Sequence, residues 1–106
     1  HYMLVVNAAN IDKDWDWLNR FNDGTAQLSN MSDQTCLLAV QGPHAMATLQ
    51  VLTHDNLSVV PYYHFVRTTL AGINNVLVSN TGYTGAGGFE IYINKEDATH
   101  IWEALF

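Results

Sequence analysis

The sequence predicts an α+β fold, a mixed or antiparallel sheet with helices packed on it, and three observations carry that expectation. Short runs rich in β-formers alternate with segments whose apolar residues recur at helical spacing. Phe89, Ile91 and Ile93 alternate with Glu90 and Tyr92, the pattern of a strand with one face in the core and Glu90 on the other. Two further β-rich runs, Tyr63 to Leu70 and Asn75 to Asn80, flank Ala71-Gly72-Ile73-Asn74, a connection short enough for a hairpin.

Taken in order, Tyr2 to Val6 reads as a buried strand ending at Asn7. Asn10 is placed to cap a helix whose early acids Asp12, Asp14 and Asp16 suit the positive end of its dipole. Ile11, Trp15, Leu18 and Phe21 or Asn22 form its stripe, and Gly24 ends it. Ala26 to Met31 reads as a short edge strand and Ser32-Asp33 as a turn. Thr35 to Gln41 is apolar enough to be covered on both faces, which places it at the sheet centre. Gly42-Pro43 then sets proline at the first position of a helix carrying Ala45, Leu49 and Leu52, up to Thr53. His54 to Pro61 is loop, followed by the hairpin, the glycine-rich stretch Thr81 to Gly88, and the strand Phe89 to Ile93. Asn94 caps a last helix with the stripe Ala98, Ile101, Trp102 and Leu105, and Asp97 is placed to reach back as in a capping box. The predicted order is β-α-β-β-α-β-β-β-α.

Composition narrows the function. With 106 residues, 48% hydrophobic and 13% charged, the chain suits one folded domain over 1–106 and not a disordered tail. Ten acids against four bases give a net charge of −6, and Lys13, Arg20, Arg67 and Lys95 are scattered, so no nucleic-acid partner is expected. No apolar stretch approaches the roughly 20 residues that cross a bilayer, and no membrane partner is expected. Cys36, alone in an apolar run, reads as a small core residue in a reducing compartment such as the cytoplasm. The chain starts at His1 inside one pattern and stops at Phe106 inside another, as a piece of a longer protein would. Apolar surface bared by such cuts would favour a dimer of the fragment.

Most site chemistries find no support. His1, His44, His54, His64 and His100 have no i, i+4 pair and no cysteine at ligand spacing, so no metal is expected. No serine sits in a G-x-S-x-G turn. Gly82-Tyr83-Thr84-Gly85-Ala86-Gly87-Gly88 lacks the Lys-Ser/Thr of a Walker loop and the G-x-G-x-x-G spacing, and it opens a strand instead of a helix. Two readings of it stand. One is a structural loop using glycine for positive φ. The other is a ligand surface, where glycines let a flat molecule lie against the backbone, Tyr83 offers a ring and Glu90 a carboxylate. An ionised glutamate suits a pterin, whose 2-amino group and ring N3–H are parallel donors that one carboxylate accepts together. Equally, Glu90 reads as a solvated strand residue paired with Arg67 or a lysine.

The residues Leu4-Val5-Val6-Asn7-Ala8-Ala9-Asn10-Ile11-Asp12-Lys13-Asp14, the strand-turn Ala39-Val40-Gln41-Gly42-Pro43, and Thr81-Gly82-Tyr83-Thr84-Gly85 with Gly88-Phe89-Glu90 resemble the glycine-cleavage T-protein family, the aminomethyltransferases. The motifs fall in the family's order and spacing, and the resemblance covers essentially the whole chain, as the middle of the folate-binding amino-terminal half. It implies transfer of a one-carbon unit from the aminomethyl-lipoyl arm of H-protein to tetrahydrofolate with release of ammonia, so lipoylated H-protein and tetrahydrofolate are the implied partners. It implies that Glu90 binds the pterin, that Tyr83 lies at the folate pocket and that Asn7 lies near it. The family's catalytic aspartate would precede His1 and a substrate-binding arginine would follow Phe106, so no catalytic residue is assigned here. Asp12, Asp14 and Asp16 are explained as helix-start acids. Where the family commonly has an acid after the glycine loop, this chain has Ala86-Gly87. Two alternatives stay open: the folate-binding module of a sarcosine or dimethylglycine dehydrogenase relative, and a noncatalytic α+β interaction module.

Overall fold

Residues 1–106 are all described by the computed structural model, and they divide into two units, His1–Asp33 and Gln34–Phe106. In the first, helix α1 (Ile11–Phe21) forms where the apolar spacing places it, with Asp12 and Asp14 in its first turn and Arg20 in its last. Ile11, Trp15 and Leu18 are its half-buried stripe, while the Trp17 and Phe21 rings stack in the open with centroids 4.7 Å apart. Asn10 does not cap it with its side chain. The helix instead grows out of a 3-10 turn, Ala8–Asn10, whose first bond runs from the Asn10 N–H to the Asn7 carbonyl at 2.8 Å.

Two strands expected in this unit are absent. Tyr2 to Val6 is irregular and exposed, because a strand needs a partner edge and the unit holds no other strand. Ala26 to Met31 is irregular as well, and its start is claimed by turn chemistry. Asn22 Oδ1 accepts from the Gly24 and Ala26 N–H groups while its Nδ2 donates to the Ala26 carbonyl at 2.8 Å. Asp23 accepts from both the N–H and the hydroxyl of Thr25.

The second unit holds β1 (Thr35–Gln41), α2 (Ala45–Gln50), β2 (Phe65–Leu70), β3 (Ile73–Ser79), β4 (Gly88–Asn94) and α3 (Ala98–Ala104). The strands form one sheet in the order β1-β4-β3-β2, antiparallel at every pairing, so the α+β class holds. The expected centre does not: β1 is an edge, and β4 and β3 are central. Apolar residues on β1 alternate in burial, Cys36, Leu38 and Val40 turning towards the core and Leu37 and Ala39 lying exposed. A continuous apolar run does not distinguish a strand buried on both faces from one buried on a single face.

One sheet face carries the core. Val76 and Val78 of β3, Phe89, Ile91 and Ile93 of β4, and Leu70 of β2 meet Leu49 of α2 and Ile101 of α3. Helix α2 begins at Ala45, after a turn closed by Ala45 N–H to Gly42 carbonyl at 3.1 Å, so Pro43 precedes the helix. It stops at Gln50, short of Thr53, because the Gln50 amide turns outward to bond Thr53, Asp55 and Leu57 backbone groups. The hairpin turn is tighter than expected: Ala71 and Gly72 alone, both at positive φ (48° and 83°), as the favoured two-residue hairpin turn requires. Strand β3 therefore starts at Ile73, and an irregularity between Thr68 and Leu70 absorbs the difference in register. Asn94 and Asp97 make no side-chain caps; a 3-10 turn at Lys95–Asp97 leads into α3 instead.

Candidate functional site

The other face of the sheet is where the alternation of β4 puts Glu90. Its register partners are Ala39 on β1 and Ser79 on β3, so the carboxylate stands on a central strand with a neighbour on either side. The side chain is half-buried. Its Oε2 accepts a short hydrogen bond from the Thr81 hydroxyl and a long one from the Tyr92 hydroxyl at 3.4 Å. Thr81 Oγ1 lies 3.1 Å from the Ser79 hydroxyl, which links the three residues around the end of β3. Arg67 is not the partner of Glu90: its guanidinium reaches the carbonyl and Oδ1 of Asn75 at 3.3 and 3.2 Å. Oε1 of Glu90 makes no hydrogen bond, so the carboxylate keeps accepting capacity towards the open face.

Thr81 also begins the glycine-rich connection from β3 to β4, and Gln41, at the end of β1, holds that connection in shape. Gln41 Nε2 donates to the carbonyls of Thr81 (3.3 Å) and Phe89 (3.2 Å), and its Oε1 accepts from the Thr84 hydroxyl (3.2 Å). Tyr62 donates its hydroxyl to the Gly82 carbonyl at 2.9 Å, and the Gly42 N–H bonds the Gly87 carbonyl at 2.8 Å. Glycine is required at two points by space as well as by φ. A Cβ at Gly82 (φ +140°) would strike the Gln41 side chain, and one at Gly88 (φ +141°) would strike the Val40 carbonyl and the Gln41 backbone. The loop and the Gln41 side chain enclose a concavity of about 180 Å³, open to solvent, which Thr81, Gly82 and Tyr62 help to line.

Of the residues singled out from sequence, Glu90 is joined to the base of this loop through Thr81. Tyr83 sits in the loop with its side chain fully exposed. Neither Glu90 nor Tyr83 lines the concavity itself. Asn7 belongs to the other unit, where its carbonyl starts the turn that leads into α1 and its side chain is exposed. Three residues that sequence reasoning did not single out complete the arrangement: Gln41, Thr81 and Tyr62. The signals were a polar amide ending an apolar strand before Gly-Pro, and a hydroxyl at the mouth of a glycine run. Neither points to its partner, since Gln41 bonds Thr81 across 40 positions.

The Glu90 carboxylate and Tyr92 influence each other. Burial first, and then the negative charge of Glu90 and the hydrogen bond to it, hold the Tyr92 phenol above its ordinary 10.0. Because the folded chain keeps this proton after the unfolded chain has lost it, stability is complete below pH 10 and falls as pH rises from there through the folded value. Glu90→Gln should remove the negative charge and leave burial and an acceptor oxygen, so Tyr92 ionises at lower pH than in the parent chain. The phenolate absorbance titration of each protein, with the signal of its Tyr92→Phe counterpart subtracted, reads this directly.

An antiparallel α+β unit with a hydroxyl-lined carboxylate beside a glycine-rich loop is the class that fold and site define. Comparison with known families is specific: the profile described as the GCVT N-terminal domain matches residues 1–106. The chain belongs to that family. It is 55% identical over 105 residues to the aminomethyltransferase of Phocaeicola vulgatus and 53% identical over 106 residues to that of Flavobacterium psychrophilum. To the aminomethyltransferase of Chloroherpeton thalassium it is 48% identical over 106 residues. These alignments cover 99%, 100% and 99% of the chain and 29% of each relative. The chain thus spans less than a third of the length of these relatives.

Proposed function

We propose that this chain is the pterin-recognising part of an aminomethyltransferase of glycine cleavage, acting in the cytoplasm or the mitochondrial matrix. In that reaction the carbon of an aminomethyl group on the lipoyl sulfur of H-protein is transferred to tetrahydrofolate. The two folate amines each give up a proton and gain a bond to that carbon, forming 5,10-methylenetetrahydrofolate. The carbon–nitrogen and carbon–sulfur bonds of the donor break, and those protons leave as ammonia and on the lipoyl thiol. Such a step depends on orienting two large substrates, so the contribution assigned to this chain is positioning.

The single observation that carries the reading is the Glu90 carboxylate: half-buried on a central strand, bonded by hydroxyls on one oxygen only, and not paired with Arg67. A 2-amino-4-oxo pterin brings the two parallel N–H donors that such a carboxylate lacks. The 3.4 Å contact from Tyr92 is the weaker of the two bonds on Oε2 and is the one that yields when the ring docks. Tyr83, exposed in the glycine loop, is free to close on the ring face.

The test uses the chemistry of recognition. 5-Formyltetrahydrofolate, a stable reduced folate, should bind the chain, and an analogue lacking the pterin 2-amino group should bind about tenfold or more weakly, the loss of one charge-assisted hydrogen bond. Equal binding of the two would remove the carboxylate from the recognition. No binding of either would favour an interaction module in which Glu90 and Tyr83 are structural.

A further inference from the structure

We infer that Gln41 is a positioning residue of this folate site, setting the glycine-rich loop against Glu90. The inference rests on the folate reading above and adds to it a residue outside the three assigned to the pocket.

Gln41 closes β1 opposite Gly88, one step along the same sheet face from the Ala39–Glu90 pair. Its amide is almost fully used: both N–H groups point at backbone carbonyls, Thr81 and Phe89, and the oxygen accepts from Thr84. One side chain therefore fixes the start of the loop, its middle and the first residues of β4. Thr81 is the node. Its carbonyl is held by Gln41 and its hydroxyl bonds Glu90, so the start of the loop is anchored to both β1 and β4 at one residue. Gly82 and Gly88 are the counterpart of this contact, since a Cβ at either would meet Gln41. A glutamine whose task were only to satisfy the end of a strand would not need contacts at two points of the loop and a third on β4, nor two glycines cleared around it. Without Gln41 the carbonyls of Thr81 and Phe89 lose their side-chain donor, and the stretch bearing Tyr83 keeps only the Tyr62–Gly82 and Gly42–Gly87 bonds at its flanks.

The experiment compares Gln41→Met, which keeps the length of the side chain without its hydrogen bonds, in two backgrounds. In the otherwise unchanged chain it should weaken binding of 5-formyltetrahydrofolate by about tenfold. With Tyr83→Ala already present, the same change should weaken it by less than about threefold, because the loop it positions no longer carries the ring. A tenfold loss in both backgrounds, or none in either, would overturn the inference, since general loosening of the fold acts independently of Tyr83. Should Gln41→Met fail to fold, Thr84→Val removes only one of the three bonds and should give about a two- to threefold loss; unchanged binding would count against it. If the parent chain binds no folate, it is the folate reading that fails. Backbone amide relaxation then decides for Gln41: fast motion gained only at Thr81 to Gly88 in Gln41→Met supports its hold on the loop, and unchanged relaxation there overturns it.

Discussion

Glu90→Gln should lower the affinity of the chain for 5-formyltetrahydrofolate by about a hundredfold, equivalent to roughly 2.7 kcal/mol, while changing folding stability by less than about 1 kcal/mol. The two effects separate because the side chain keeps its shape. The Thr81 hydroxyl still has an oxygen to donate to, so the fold loses little. The ligand loses far more: an amide presents one acceptor and one donor to a ring edge that offers two donors, so one contact is lost, the other becomes repulsive, and the charge is gone from both. Glu90→Asp retains the charge but withdraws it by one methylene and should fall between the two. Binding isotherms with a parallel urea unfolding curve for each variant check the pair of claims. An affinity loss matched by an equal loss of stability would mean that Glu90 supports the fold and does not contact the pterin.

The second large effect is conformational. Gly88→Ala should destabilise the chain by about 3 kcal/mol, because it joins a backbone angle that L-residues rarely adopt to a collision with the β1 backbone. At φ +141° the new methyl would meet the Val40 carbonyl and Gln41 Cα, neither of which moves without breaking the β1–β4 ladder. Gly85→Ala is the matched control. Its φ of +73° is also positive, yet a Cβ there meets nothing within 4 Å, so only the conformational cost of about 1 kcal/mol applies. Urea midpoints of the two variants measure the difference. Equal destabilisation would show that the close approach of β4 to β1 at Gly88 contributes nothing.

These effects centre on a part of the molecule whose presence is legible in the sequence and whose geometry is not. The alternation Phe89-Glu90-Ile91-Tyr92-Ile93 is local and suffices to put Glu90 on the face away from the core. The spacing of Ile11, Trp15 and Leu18 likewise suffices for α1. What fails is whatever depends on a partner elsewhere. Tyr2 to Val6 has strand composition but no edge to pair with in its unit, and the apolar run of β1 fits a central strand as well as the edge it occupies. Helix ends are misplaced where a side chain reaches beyond its own turn, as Gln50 does to Asp55 and Leu57. The site follows the same rule. Glu90 and Tyr83 stand in a short motif, whereas Gln41 meets Thr81, Thr84 and Phe89 only once β1 and β4 are paired.

Recognition of a pterin by the open face of the sheet is tested most directly by titrating the isotopically labelled chain with 5-formyltetrahydrofolate and following its amide resonances. Saturable shifts should concentrate at Thr81 to Glu90 and at Tyr92, with Leu49, Ile91 and Ile101 of the core unmoved. A dispersed spectrum in which those loop and strand resonances stay fixed at saturating ligand, or in which the shifts gather elsewhere, would contradict it.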